Sequence, residues 1–256
     1  MPATTPRALS FDTAAARYAA YRPGYPPALL DTVEELTGRP LHGSRTADVG
    51  AGTGIATRLL LARGARVTAV EPGPGMAAEL RRSLPSVPVV RGDGNRLPLA
   101  AASADLITYA QSWHWTDPER SLPEALRVLR PGGALALWWN VSDHTVPWIA
   151  DQDARLHAHL GAGESVHGTP AGSGTRNLGS LPDAGFTRRV LRWSRTVPVD
   201  THLANLATHS AFLVRDGDGG GSTRRFLTEE RARLTEVFPE GTVEESYVVE
   251  LAVLRR

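Results

Sequence analysis

The stretch Thr46-Ala-Asp-Val-Gly-Ala-Gly-Thr-Gly-Ile-Ala-Thr-Arg-Leu-Leu60 predicts a strand, a tight turn and a helix. The turn is predicted because Gly50, Gly52 and Gly54 allow positive φ angles and close backbone approach. Apolar residues then recur at helical spacing, and Gly64 stands where a helix commonly ends. Backbone N–H groups and the positive end of the helix dipole meet at such a turn, so it suits a carboxylate, a phosphate or ribose hydroxyls.

The spacing of these glycines separates two classes of ligand. A dinucleotide fingerprint is G-x-G-x-x-G, which would place its third glycine at position 55, where this chain has Ile55. The glycines run G-x-G-x-G instead, which disfavours a nicotinamide oxidoreductase. A single glycine turn is also compatible with an unrelated α/β protein, so the stretches that follow must decide.

Two acids follow predicted strands further along the chain. The strand Ala65–Glu71 ends in an acid 17 residues beyond Gly54, where a carboxylate can accept both hydroxyls of a ribose. The alternative for Glu71 is a helix-capping or solvent-facing side chain. The run Val87–Gly94 predicts a third strand with Asp93 at its end, although Asp-Gly is also a common turn.

Together these features resemble the class I S-adenosylmethionine (SAM) dependent methyltransferases of the small-molecule, type 11/12 branch. The resemblance covers residues 45–139 and rests on Asp48-Val-Gly-Ala-Gly-Thr-Gly54, Glu71, Asp93 and the turn Leu129-Arg-Pro-Gly-Gly133. It implies SAM as cofactor, S-adenosylhomocysteine as its product, and Asp93 as acceptor for the adenine amino group. The cofactor-binding residues that it implies are Arg22, Gly50, Ala51, Gly52, Glu71, Pro72, Asp93, Gly94, Ala110 and Gln111.

The N-terminal segment carries a second, narrower resemblance. Its run Tyr21-Arg-Pro-Gly-Tyr-Pro26 is similar to a segment of trans-aconitate methyltransferase-like proteins. The segment is either a packed N-terminal cap or a lid over the cofactor pocket. In the lid, Tyr18, Tyr21, Arg22 and Tyr25 face cofactor or substrate, and Arg22 pairs with a carboxylate.

Chemistry is expected where the fourth strand, Ser103–Ala110, runs into Gln111–Pro118, because ligands bind at the carboxyl ends of strands in such sheets. The predicted catalytic residues are His114 and Tyr21. A neutral His114 would deprotonate the acceptor, or else it only fixes the loop by hydrogen bonding. The predicted substrate-binding residues are Tyr18, Tyr25, Trp113, Trp115 and Trp139, with core packing as the alternative.

The element order predicts an α/β fold: one Rossmann-like, seven-stranded, doubly wound sheet with helices on both faces. We expect an antiparallel member among the last two strands, and a single domain over 1–256. Its predicted parts are a helical cap (1–38), a SAM-binding core (39–139), a lid-like insertion (140–180) and the rest of the sheet (181–256). The cap and the insertion would form the lid, with a mobile loop at 161–179.

Composition excludes several functions. The 256-residue chain has no cysteine and no lysine, which removes disulfides, a thiolate nucleophile and a Schiff base. The net charge is +1 and no basic stripe is present, so we expect no nucleic-acid partner. The sequence has no long apolar run and no signal core, so we expect no membrane partner and a cytoplasmic location. No metal site is predicted, and the protein would be a monomer or homodimer.

The acceptor is less constrained by the sequence. The tryptophans and the near-neutral charge favour a small aromatic metabolite of the indole, phenol or polyketide type. The trans-aconitate resemblance implies a carboxylate acceptor instead. A third alternative is a SAM-binding protein that transfers no methyl group.

Overall fold

The computed structural model describes residues 15–160, 176–179, 181–209, 212 and 220–256. Most of the predicted mobile loop at 161–179, and the first 14 residues of the predicted helical cap (1–38), lie outside these residues. The chain divides into two compact units. Unit one comprises Met1–Pro23, Val141–Arg176 and Arg192–Val248; unit two comprises Gly24–Asn140, Asn177–Leu191 and Val249–Arg256.

Helices and strands alternate through the first half of the chain, as the sequence predicts. The helices are α1 (Ala15–Tyr21), α2 (Pro27–Thr37), α3 (Ile55–Ala62), α4 (Pro74–Ser83), α5 (Pro118–Val128), α6 (Pro147–Leu160), α7 (Arg176–Gly179), α8 (Val199–Leu206) and α9 (Gly221–Val237). The strands are β1 (Arg45–Val49), β2 (Arg66–Val70), β3 (Val89–Val90), β4 (Ala104–Ala110), β5 (Leu129–Ser142), β6 (Thr187–Pro198) and β7 (Thr242–Arg255).

The strands form a seven-stranded mixed sheet in the order β3-β2-β1-β4-β5-β7-β6. Strands β1 to β5 pair in parallel. Strand β7 runs antiparallel to β5, because Arg256 donates to Gly133 at the start of β5 while Asp143, after its end, donates to Ser246. The predicted α/β, Rossmann-like fold and its antiparallel member are therefore confirmed.

The direction in which strands are added reverses at β1, between β2 and β4. Such a switch point is where open α/β sheets bind ligands, at the carboxyl ends of the strands. The strands on both sides are buried: Ile107 of β4 and Leu135 and Leu137 of β5 have no exposed surface. Parallel strands covered on both faces carry such continuous apolar runs.

Helix α3 ends as the sequence predicts. Gly64 has a φ of 80° and donates to the carbonyl of Leu61, and Ala65 donates to that of Leu60. These two bonds form a Schellman cap, which needs the left-handed conformation that glycine adopts without strain. The cap turns the chain directly into β2.

Two predicted boundaries in unit two were wrong. Strand β3 ends at Val90 rather than Asp93, because the Asp93 carboxylate accepts from the N–H of Asn95 (2.7 Å) and closes a turn. Strand β5 starts at Leu129, so it includes the Arg-Pro-Gly-Gly run that we expected to be a turn. The main chain of Gly132 and Gly133 pairs there with Arg256.

Two further predictions fall partly on residues outside the described ranges. Residues Arg176–Gly179, within the expected mobile loop, form the short helix α7, and Asn177 donates both its main-chain and side-chain N–H to Glu250. The sequence also predicts a helix over 200–214. The structure has α8 over Val199–Leu206 and a helical Phe212, while residues 210, 211, 213 and 214 lie outside the described ranges. Among the helices that the structure describes, none is both long and apolar enough to cross a membrane.

Candidate functional site

The glycine turn after β1 has the left-handed backbone that its sequence predicts. The φ angles of Gly50, Gly52 and Gly54 are 67°, 57° and 90°. A Cβ atom on Gly50 would lie 2.4 Å from the Cβ of Ser112, so the chain passes too close there for a side chain. A Cβ atom on Gly52 would meet no described atom within 4 Å. The turn is thus packed behind Gly50 and open in front of Gly52.

The N–H groups of this turn are used within the protein. Gly50 and Ala51 donate to the carbonyl of Val70 at 2.8 and 3.2 Å. Gly52 donates to Oε2 of Glu71 at 2.8 Å, and Gly54 donates to the carbonyl of Ala51. The acceptors of these four N–H groups are Val70 at the end of β2, Glu71 and the turn itself, and the role of the turn in binding a carboxylate, a phosphate or ribose hydroxyls stays a prediction.

Glu71 stands at the end of β2, as predicted, and is buried. Its Oε1 accepts from the N–H of Gly73 (2.7 Å), while its Oε2 accepts from Gly52. The carboxylate therefore joins the glycine turn to the loop after β2. A carboxylate offers about four acceptor sites, so the same group can hold the turn and accept ribose hydroxyls.

Asp48, at the end of β1, is buried and faces two threonines. Its Oδ2 accepts from the hydroxyl of Thr57 on α3 (2.6 Å), and its Oδ1 from that of Thr108 on β4 (2.9 Å). Burial raises the pKa of Asp48, and these hydrogen bonds offset the rise only in part. The motif aspartate thus joins β1 to helix α3 and to strand β4. The sequence analysis missed both threonines.

The carboxyl end of β4 is held against this turn. Gln111 is not a glycine, yet it has a positive φ of 58°. Its side chain donates to the carbonyl of Asn140 (2.8 Å). The hydroxyl of Ser112 donates to the carbonyl of Val49 (2.6 Å), next to Gly50. Left-handed backbone at a non-glycine residue costs about 1–3 kcal/mol and clusters at functional sites. Ser112 is another residue that the sequence analysis did not single out.

The aromatic residues after β4 differ in exposure. Trp113 is buried and packs edge-on against Tyr109, with ring centroids 4.9 Å apart, which agrees with the core alternative. Trp115 is 37% exposed and lies on the same short helical turn, Trp113–Trp115. On β5, Trp139 is buried. The structure therefore brings three of the predicted aromatic residues to the carboxyl ends of β4 and β5, and of these three it exposes only Trp115.

His114 has a single described hydrogen-bond partner. The indole Nε1 of Trp139 donates to its Nδ1 (3.2 Å), and its ring lies 4.7 Å from that of Trp115. The residue as a whole is exposed, and burial of its ring lowers the pKa of His114 from its usual 6.5. A lowered pKa favours the neutral imidazole.

The remaining predicted residues of unit two also lie near the carboxyl ends of the strands. Ala110 pairs with Trp138 across β4 and β5, and Tyr25 meets the Trp138 ring edge-on at 5.9 Å. The Pro72 carbonyl accepts from Arg91 (2.5 Å), and the Gly94 carbonyl accepts from the hydroxyl of Tyr109 (3.2 Å). Asp93 is exposed.

Three predicted residues belong to unit one. The guanidinium of Arg22 lies 5.0 Å from the ring centroid of Tyr18 and donates to the Thr208 carbonyl (3.3 Å). The Tyr21 carbonyl accepts from Arg195 (3.2 Å). These contacts hold residues 18–22 within unit one, and the roles of Tyr18, Tyr21 and Arg22 in binding stay predictions.

Unit two also contains a cavity of about 400 Å³ at the amino ends of the strands, opposite the carboxyl ends where the predicted site residues lie. Its lining includes Arg39, His42, Ser44 and Asp105, at or before the amino ends of β1 and β4. None of the predicted site residues lines it. Among the residues described, no group of three or more acidic or histidine side chains is placed to hold a metal ion.

Comparison with known proteins decides the family. Residues 47–137 match the methyltransferase domain family. An uncharacterized methyltransferase of Schizosaccharomyces pombe is 32% identical over 179 residues, which cover 70% of this chain and 68% of that protein. This chain belongs to the class I SAM-dependent methyltransferases. An uncharacterized methyltransferase of Mycobacterium tuberculosis is 43% identical, and the matched stretch covers 57% of its length and 56% of this chain.

A solved structure supports the fold of this methyltransferase. It is described as a type II methyltransferase from Anaeromyxobacter dehalogenans, is 26% identical, and has a TM-score of 0.70. The likeness covers 92% of this chain and 98% of that one. The resemblance of the sequence to the family, and the fold that it implied, are confirmed.

The residues at the switch point fit the cofactor of this family. The open space at Gly52 leaves room for a ligand against the backbone, and Glu71 stands beside it. Hydroxyl groups donate to Asp48, and backbone N–H groups donate to Glu71. A carboxylate beside the open turn suits a cofactor that carries a positive sulfonium.

Proposed function

We propose that this methyltransferase transfers a methyl group from SAM to a small-molecule acceptor, with an aromatic metabolite of the indole, phenol or polyketide type as the favoured class. The observation that carries the proposal is the open glycine turn at Gly52 with Glu71 hydrogen-bonded to it. SAM, when bound, supplies an electrophilic methyl group on a positive sulfur. The chain's own part is to bind, orient and exclude water.

Each cofactor-facing residue has an assigned part in this proposal. Glu71 accepts the ribose hydroxyls while it holds the turn, and Asp93 accepts the adenine amino group. Gly52 lets the cofactor approach the backbone, and Gln111 presents its left-handed backbone to the cofactor at the carboxyl end of β4. The exposed ring of Trp115 and the ring of Tyr25 offer faces for the acceptor or for the sulfonium.

A carboxylate acceptor is the second candidate, and one observation in unit one favours it. The Nε of Arg22 is buried without a hydrogen-bond partner, and within the described chain its guanidinium pairs with no carboxylate. A buried cationic donor that lacks an anion is a ready partner for one. A carboxylate on the acceptor would supply that partner.

Calorimetric titration with SAM, S-adenosylhomocysteine, NAD and NADP tests the cofactor. We expect SAM to bind with micromolar affinity, and we expect Glu71→Ala and Asp93→Ala to weaken binding by about tenfold or more, since each removes a hydrogen-bonded carboxylate. The control is Glu119→Ala, an exposed acid in the first turn of α5. Binding of NAD or NADP without SAM would refute the proposal.

Acceptor screening follows the titration. Candidate aromatic compounds and carboxylic acids are incubated with the protein and SAM. Mass spectrometry then follows S-adenosylhomocysteine and the methylated product, which is heavier than the acceptor by about 14 Da, the mass of one CH₂. Methylated acids without methylated aromatics would favour the carboxylate candidate. SAM binding with no turnover across both classes would favour a binding protein without methyl transfer. A monomer or homodimer, a cytoplasmic location and the absence of nucleic-acid and membrane partners remain part of the proposal.

A further inference from the structure

The contact between Trp139 and His114 has only one chemical arrangement. An indole nitrogen donates its hydrogen and cannot accept one. Nδ1 of His114, 3.2 Å from Nε1 of Trp139, must therefore be the acceptor and carry no proton. A neutral imidazole carries its one proton on the other nitrogen, so His114 is the Nε2–H tautomer.

We propose that Trp139 is a positioning residue that fixes His114 as a hydrogen-bond donor, so that Nε2–H binds an oxygen lone pair of the acceptor molecule and does not take a proton from it. The part that concerns the acceptor rests on the proposed methyltransferase function. The tautomer itself does not. The ligand group that fits is a carbonyl, carboxylate or phenolate oxygen, because each offers lone pairs to an N–H.

The sheet holds both partners of this contact in place. Ala110 of β4 is paired with Trp138 of β5, so Trp139 follows directly beside the end of β4. His114 sits on the short helical turn that Thr116 closes, since both its N–H and its hydroxyl donate to the carbonyl of Trp113 (2.9 and 2.7 Å). The burial of Trp113 ties this turn to the core.

Proton transfer to His114 is opposed by the same geometry. The Nδ1 lone pair faces the indole N–H, and protonation there would set one N–H against another. The Nε2 atom of the neutral ring already carries its proton. Neither nitrogen has a lone pair available to take a proton from a ligand while the Trp139 contact is intact. The lowered pKa of His114 acts in the same direction.

NMR tests the tautomer without any substrate. Long-range ¹⁵N–¹H correlation spectra of the histidine-labelled protein identify which ring nitrogen carries the proton, and His114→Gln assigns the signal by its disappearance. We expect the Nε2–H pattern for His114 at neutral pH. We also expect Trp139→Phe, which keeps a ring but removes the donor, to mix the tautomers and raise the pKa of His114. A clear Nδ1–H pattern in the unaltered protein would overturn the proposal.

Two substitutions test the donor role once an acceptor is known. Glutamine places an N–H near the position of Nε2–H but cannot act as a base, so His114→Gln should restore most of the turnover lost in His114→Ala. We expect roughly a tenfold or greater loss for alanine, the usual scale for a missing hydrogen bond to an anion. A general base would instead make both variants equally poor.

These outcomes separate this inference from the proposed function. If the protein binds no SAM and methylates nothing, the proposed function fails, and the NMR result still decides the tautomer. If methyl transfer is present and His114→Gln is as inactive as His114→Ala, the donor role is refuted while the methyltransferase function stands. Agreement of the NMR pattern with the rescue by glutamine supports both parts.

Discussion

The two units hold their buried acids in different ways. In unit two, Asp48 and Glu71 are held by threonine hydroxyls and backbone N–H groups. In unit one, the buried Glu245 accepts from Arg195 (2.6 Å) and lies 2.7 Å from Nδ1 of His202. Neutral donors leave the charge of an acid in place, whereas cations cancel it.

This difference separates ligand binding from stability. Burying an acid on neutral donors is unfavourable, and the raised pKa of Asp48 shows that cost. In the ion-paired network of unit one, the removal of Glu245 would leave Arg195 and His202 without their carboxylate. Substitutions in the ion-paired network of unit one should therefore change stability, whereas those at the glycine turn of unit two should change both stability and ligand binding.

Glu245→Gln should have the largest effect on stability. It leaves Arg195 and His202 without their carboxylate in a buried setting, which we expect to cost roughly 3 kcal/mol of unfolding free energy. Urea denaturation measures the change. The matched control is the neighbouring Glu244→Gln, an exposed acid bonded to Ser194, which should change stability by less than about 0.5 kcal/mol. Equal effects of the two would contradict the comparison.

Gly50→Ala should follow, with a cost of roughly 2–3 kcal/mol. The new Cβ would meet Ser112 at 2.4 Å, and alanine is strained at a φ of 67°. Gly52→Ala carries only the strain, about 1–2 kcal/mol, because its Cβ enters open space. Calorimetric titration with SAM should rank the two variants in the opposite order. Gly52→Ala destabilises the fold less than Gly50→Ala, but it should lose more SAM affinity for each kcal/mol of stability lost.

Thr108→Val should cost about 1–2 kcal/mol, since it removes one donor from the buried Asp48 while keeping the shape of the side chain. Because a hydrogen bond that favours the charged form is lost, the pKa of Asp48 should rise further. Thr32→Val, which removes an exposed hydroxyl bonded to a helix carbonyl, is the control and should have little effect. Thermal unfolding of both variants measures the difference.

The pH dependence of stability should differ in sign between the two acids, Glu245 and Asp48. Burial raises the pKa of Glu245, but His202 and Arg195 outweigh it and lower the pKa to about 2, so its stabilisation is present above its unfolded value of 4.5 and is lost as the pH falls toward 2. Asp48, whose pKa is raised, stabilises the fold least at high pH.

Unfolding curves measured from about pH 6 to about pH 3 test the sign. The stability difference between the unaltered protein and Glu245→Gln should narrow as the pH falls. A difference that widens on acidification would mean that Glu245 is not held in its charged form.

The sequence was sufficient for the features that depend on local backbone chemistry. The positive φ angles at Gly50, Gly52 and Gly54 follow from a glycine motif, and Glu71 follows from its place at the end of a β-branched strand. The bounds of the two-residue β3 were harder to predict. The sequence after Val90 continues into the turn at Asp93, and from the sequence alone these residues resemble a longer strand.

The contacts that define the site could not be predicted, because they join residues that only the sheet brings together. Trp139 and His114 are 25 positions apart, and Thr108 and Asp48 are 60 apart. One signal was available: parallel neighbours β4 and β5 place Ala110 beside Trp138, so the residues that follow each must meet. The left-handed Gln111 has no sequence signature, since packing against Asn140 holds it.

The strand order has a consequence for the time course of synthesis. Strand β7 lies between β5 and β6, although it follows both in the chain. A ribosome that has released β6 has therefore produced a strand whose place in the sheet does not yet exist, and the edge of β5 stays open meanwhile. Unpaired edges invite association with other chains. The interval between the emergence of β6 and that of β7 is thus the stage at which this protein most depends on slow, dilute or chaperoned folding.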